Sequence, residues 1–403
     1  MKYLLYLSTF IFLIGCKSFE ATPYDFPKPV DTTTRAIEFQ EKKTYAIGGV
    51  YASNEFDGAR LNDFQQKGEN SFVVTIRPEN SPINPSPWYA FKIWSDEART
   101  VQVTLDYSES RHRYQPKISA DGLNWSKLPA ADVQLSADTV DATLTLNIGP
   151  DTLWVAGQEL QNSTHVRQWC EEQAKHQDVR FSTMGESKLG RPMFHLDLYN
   201  GAKEDKETIV IFSRQHPPEV TGYFAMQAFI ETILEDNQLA NDFRKKYRLL
   251  VFPLMNPDGV DLGHWRHNAG GIDANRDWAY YNQPEARQVA NYVVKTTKTD
   301  KNKVILGMDF HSTGKDIFYT FSMPSALPDF NDYWIAGIGD ALGKTPAERE
   351  STAVGNPTTS GWFFTQFGAE GLTYEIGDHT PRDFIQRKGS VSAVEMMELL
   401  IYR

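Results

Sequence analysis

Cysteine is nearly absent from this chain, with Cys16 and Cys170 the only two in 403 residues. That excludes a disulfide framework, and no thiol chemistry is expected. Dense Lys/Arg runs are missing too. Against a net charge of -11 no basic stripe stands out, which argues against a nucleic-acid partner. No fixed-period repeat or low-complexity tract is visible. The one long apolar run, Tyr3 to Ile14, is too short to span a bilayer.

That run has another reading. Met1-Lys2 gives a short positive end, and Leu13-Ile14-Gly15-Cys16 has the pattern of a bacterial lipobox. Residues 1–16 are therefore expected to be a lipoprotein signal, with Cys16 acylated and the protein exported and membrane-anchored, in the periplasm or on the outer surface. Residues 17–35, with Pro23, Pro27 and Pro29, suit a tether. Cys170 is then left without a partner.

The length predicts two domains. Over residues 36–152 the hydrophobic period is two: Phe72 to Ile76, Trp88 to Trp94, Val101 to Leu105 and Leu144 to Ile148 read as short strands parted by turns such as Asp57-Gly58 and Asp121-Gly122. An antiparallel β-sandwich is expected there. Its Trp88, Trp94 and Trp125 are expected to pack on the sheets rather than bind sugar. Over residues 153–403 the period changes. Ile209 to Phe212 and Leu249 to Phe252 read as buried strands, and Thr221 to Leu234 and Glu285 to Lys295 as helices. The fold class expected is α/β, a doubly wound mixed sheet whose ligands gather beyond the carboxyl ends of its strands.

The chemistry-bearing residues are dispersed through this second part: His216 and Glu219, Arg266, Asp273 with Asn275 and Arg276, His311, and Glu375. His216 and Glu219, three apart, reach the same ion if they sit on one face of a helical turn. With His311, placed after the apolar run Val304 to Phe310, they make two imidazoles and a carboxylate, a zinc ligand set that keeps an open position. Glu375 is a spare carboxylate, and two guanidiniums remain for substrate. This is the equipment of a metal-assisted hydrolase.

At these residues the chain resembles the zinc carboxypeptidases of the M14 family. Ser213 to Gly222 (SRQHPPEVTG) is similar to the first metal-binding segment, and Gly271 to Trp278 (GIDANRDW) to the carboxylate-recognition motif. Asp309 to Ser312 resembles the segment of the third ligand, and Leu372 to Ile376 the strand of the catalytic glutamate. The N-terminal strand pattern is similar to the domain that precedes the catalytic one in the cytosolic-carboxypeptidase branch. The resemblance implies one Zn2+ on His216, Glu219 and His311, with Glu375 as general base. It implies Arg266 as the guanidinium that polarises the scissile carbonyl, and Asn275 and Arg276 as the grip on a peptide's free C-terminal carboxylate. Asp273 is a candidate to fix the tautomer of His216, whereas Asp309 is expected to be a local cap or a surface ion pair. The sequence departs from the pancreatic-type pattern: Ser351 to Trp362 carries no tyrosine, and Ser360 falls near the position that sets side-chain preference. The rival expectation is a zinc amidase or carboxypeptidase acting on cell-wall muropeptides.

Overall fold

The computed structural model describes residues 20–107, 110–297, 299, 301–343, 348–351 and 355–402. The lipobox and Cys16 lie outside the described residues. Among those described, no helix is long and apolar enough to cross a membrane.

Alternation governs the first part. In Ala142–Ile148, Ala142, Leu144, Leu146 and Ile148 are buried while Thr143, Thr145 and Asn147 face outward. Strands of this kind build two sheets. One runs Thr44–Ile47, Val50–Ser53, Ala90–Ser95, Leu153–Ala156, Lys117–Ser119, Ser126–Lys127; the other Asp63–Gly68, Ser71–Ile76, Arg99–Tyr107, Ala142–Ile148, Val133–Leu135. Val50, Phe91, Ile93 and Val155 from the first meet Phe72, Val74, Val103 and Leu144 from the second in one hydrophobic cluster. One pair departs from the antiparallel expectation, since Ser71–Ile76 runs parallel to Arg99–Tyr107. Parallel neighbours need a crossover, and the chain makes it by visiting the other sheet at Ala90–Ser95 between them. Trp88 is buried and donates from Nε1 to the Gly58 carbonyl at 2.7 Å. Trp125 folds back onto Gly122 with a 3.0 Å bond, and Trp94 stacks on Tyr51.

The second part is a mixed eight-stranded sheet in the order Val179–Glu186, Pro192–Leu198, Tyr247–Phe252, Glu207–Ser213, Val304–Thr313, Glu370–Gly377, Ile317–Thr320, Glu348–Ser351. Its central strands pair in parallel. They are apolar on both faces, so helices cover both. Ile209, Ile211, Leu249 and Val251 pack with helices Val220–Ile233 and Arg382–Ile401. Val210, Phe212, Leu250 and Phe252 point the other way, toward helices Pro284–Thr296 and Thr359–Phe367.

Residues 17–35, expected to be a free spacer, are held down from Ala21 onward. Tyr24, Lys28 and Arg35 donate their backbone N–H groups to the carbonyls of Ala279, Gly355 and Gly270. The Thr32 hydroxyl donates to Asp277 at 2.5 Å, and the Phe26 ring covers Gly361, where a Cβ would meet it at 3.0 Å. The extended strap has no core of its own. It borrows its hydrogen-bond partners from the α/β part.

Candidate active site

Two parallel strands and one turn bring the candidate residues together. His311 and Glu375 are register neighbours on Val304–Thr313 and Glu370–Gly377; His311 lies within its strand rather than after it. The His216–Glu219 pair sits in a turn closed by Glu219 N–H to the His216 carbonyl, and the helix starts only at Val220. The expected helical turn is thus a tight loop, yet the spacing of three still puts both side chains on one side. Gly222 lets that helix press onto the third ligand, for a Cβ there would stand 2.3 Å from the His311 carbonyl oxygen. Ser312 Oγ, accepting from Gly222 N–H at 2.8 Å, pins the same contact.

The candidate ligand atoms of His216, Glu219 and His311 are buried and lie within 4.8 Å of one another. Glu219 Oε1 is 2.8 Å from His216 Nδ1, and its Oε2 is 2.6 Å from His311 Nδ1. On the outer sides, His216 Nε2 meets Asp273 Oδ1 at 2.9 Å and His311 Nε2 meets Asp309 Oδ2 at 2.8 Å. An outer carboxylate accepts only from a protonated nitrogen, so each ring carries its proton on Nε2, and with an ion bound between them Nδ1 would give up its contact with Glu219 and turn a lone pair to the centre. Two imidazoles and a carboxylate of this arrangement fit zinc.

Asp309 therefore corrects the expectation of a local cap. It is fully buried and also accepts from Gln215 Nε2 and Thr359 Oγ1, both at 2.5 Å. The signal was present in the sequence, since positions 309 and 311 share a face of one strand. Asp273 contacts more than His216. Its Oδ2 takes both Nε and Nη2 of Arg266 at 2.8 Å, and its Oδ1 accepts the Asn275 N–H, capping the short turn Ala274–Arg276. Burial works against its charge, but Arg266 and His216 outweigh burial and hold its carboxyl well below the usual range.

Asn275 gives its side-chain carbonyl to the Thr359 N–H at 3.0 Å, which turns its amide NH2 toward the site. The Arg276 guanidinium is steadied by the Asn275 backbone carbonyl at 2.8 Å. Glu375 Oε2 is buried and has no hydrogen-bond partner among the described residues. Burial first, and then the charge of Glu219, push its carboxyl up to about 7, where a group can both take and return a proton near neutrality.

His216, Glu219, Arg266, Asn275, Arg276, His311 and Glu375 line one cavity of about 390 Å3. Asn84, Ser86 and Arg113, from loops between strands of the first part, and Tyr319, on strand Ile317–Thr320, line it as well. No motif marks the first three, because their place depends on how the two parts dock. Arg113 bridges the parts, donating to Asp378 at 2.8 Å and to Ser86 Oγ at 2.5 Å.

Residues 166–363 match the family model of the zinc carboxypeptidases. Among curated relatives, an uncharacterised protein of Zymomonas mobilis is 27% identical over 265 residues, 64% of this chain and 66% of its own. Cytosolic carboxypeptidase 2 of Danio rerio is 37% identical over 282 residues, 62% of this chain and 38% of its own. The chain thus spans two thirds or less of these relatives' length. A solved metallo-carboxypeptidase of Burkholderia cenocepacia shares the fold at a TM-score of 0.73 and 17% identity, over 88% of this chain and 98% of that one. With the His-Glu-His group in place, the family match supports a peptide hydrolase whose cofactor is zinc.

Proposed function

We propose that this chain is a zinc metallocarboxypeptidase that removes C-terminal residues from peptides. The observation that carries the reading is that a carboxylate grip, Asn275 with Arg276, opens into the same cavity as the metal ligands and Glu375. His216, Glu219 and His311 would hold zinc, which would supply a Lewis acid and lower the pKa of a bound water. Glu375 takes the proton from the attacking water and passes it to the leaving amine. Arg266, its Nε and Nη2 occupied by Asp273, keeps its remaining donors for the developing oxyanion. Asn275 and Arg276 fix the terminal carboxylate, a planar guanidinium offering two parallel hydrogen bonds. Asp273 and Asp309 orient the two imidazoles. The lipobox at Leu13 to Cys16 supports a protein anchored through Cys16.

A double cycle tests the exopeptidase reading against the muropeptide amidase. Arg276→Ala and C-terminal amidation of the substrate should each lower kcat/KM by at least about thirtyfold, the cost of stripping one partner from a buried charge pair. Together they should cost little more than either, because both remove one interaction. Equal cleavage of amidated and free-acid peptides would overturn the reading in favour of an amidase or endopeptidase.

A further inference from the structure

Glu79 lies beyond the end of strand Ser71–Ile76, in the part of the chain that carries no catalytic motif, and it is completely buried. Its carboxylate does not meet a side chain of the opposite part. It takes three successive backbone N–H groups: Trp265 on Oε2 at 2.7 Å, and Arg266 and His267 on Oε1 at 3.0 and 2.6 Å. Arg60 Nη2, also buried, stands 3.7 Å away and balances the charge, while Arg60 Nε ties the start of the same loop through the Gly263 carbonyl at 2.8 Å. The next residue continues the grip. Asn80 Oδ1 meets His267 Nδ1 at 2.7 Å, and its Nδ2 donates to the Gly271 carbonyl at 3.1 Å. The Trp265 side chain is buried in the core of the first two sheets.

The loop bearing Arg266 is thus held from one side by the first sheets and from the other by the Arg266–Asp273 pair that backs His216. Three amide dipoles converging on one fully buried anion form a stiff concave clamp. We propose that Glu79 is a positioning residue for Arg266: it fixes the backbone from which that guanidinium reaches the oxyanion, and so makes the first sheet region part of the catalytic apparatus. The inference rests on the role given to Arg266 above. Displacing a transition-state donor by about 1 Å can cost on the order of a hundredfold in rate, while substrate held elsewhere binds as before.

The test is steady-state kinetics on the zinc-loaded full chain carrying Glu79→Gln, which keeps the shape but sets an NH2 against one of three N–H donors. The expected result is a fall in kcat of about ten- to a hundredfold. KM should stay within about threefold and zinc should remain at one per chain, a split that a loss of folded protein would not produce. In the pair Glu79→Gln with Arg266→Ala, kcat should be little lower than in Arg266→Ala alone, because the clamp acts through that side chain. Unchanged kcat in folded Glu79→Gln, or full multiplication of the two losses, overturns the proposal while leaving the role of Arg266 standing. If Arg266→Ala itself leaves kcat unchanged, that role falls and this inference with it. Should Glu79→Gln fail to fold, Glu79→Asp, which keeps the charge one methylene shorter, is measured instead; failure of both to fold makes Glu79 a fold element and overturns the proposal.

Discussion

Asp309 Oδ2 accepts the Nε2–H of His311 at 2.8 Å, two residues along the same strand, and so turns the other ring nitrogen toward Glu219. The outer carboxylate is as much a part of the metal centre as the ligand it holds. Asp309→Ala should weaken zinc binding by about ten- to a hundredfold, read by competition with a chromogenic chelator. His311→Ala, by contrast, should empty the site at ordinary zinc concentrations. Wild-type zinc affinity in the Asp309 variant would refute the tautomer argument.

Glu375 separates chemistry from metal binding. In Glu375→Gln the amide keeps the shape but cannot take a proton, so turnover should fall by at least about a thousandfold while zinc content stays at one per chain. Loss of the metal would mean that Glu375 is itself a ligand and that the trio is wrongly composed.

Acid should loosen the contact between the two parts through His264. This imidazole is buried, its Nδ1 lies 2.9 Å from the His267 carbonyl, and burial pushes its pKa down to about 4 against the pull of Glu79. An unfolded histidine titrates near pH 6.5, so the native state binds its proton later than the unfolded one. The stability this gives is complete above about pH 6.5 and is lost as pH falls toward 4, about 3 kcal/mol in all. Denaturant midpoints at pH 7 and 4.5 should therefore converge more for His264→Gln than for the unaltered chain. Parallel losses in both proteins would count against it.

The lipobox makes a prediction of place. Cys16→Ser should move the protein from the membrane pellet to the soluble fraction, without detergent. A variant that pellets at the unaltered level would rule out acylation at that residue.

Much of the α/β part was legible because its signals are local. Buried strands such as Ile209 to Phe212 announce themselves by composition, and His216, Glu219, His311 and Glu375 sit in motifs whose order is informative. What escaped the sequence is what depends on docking. Glu79 and Arg113 meet their partners across nearly two hundred residues or more, and neither stands in a pattern that separates it from a surface charge. The parallel strand pair escaped because period two is the same for either direction. The strap escaped because proline and polar residues describe a solvated spacer equally well until Thr32 finds Asp277.

That strap has a consequence for the order of assembly. Ala21 N–H bonds to Asn291 and Thr22 N–H to Gln366, the latter across 344 residues. These partners are made 270 and 344 residues later, so the strap finds its place long after its own synthesis. The wall segment it fastens, from Gly355 to Gly361, borders the cavity through Asn356, Thr358 and Ser360. A nascent chain therefore lacks that fastening until residues 355–361 have been made.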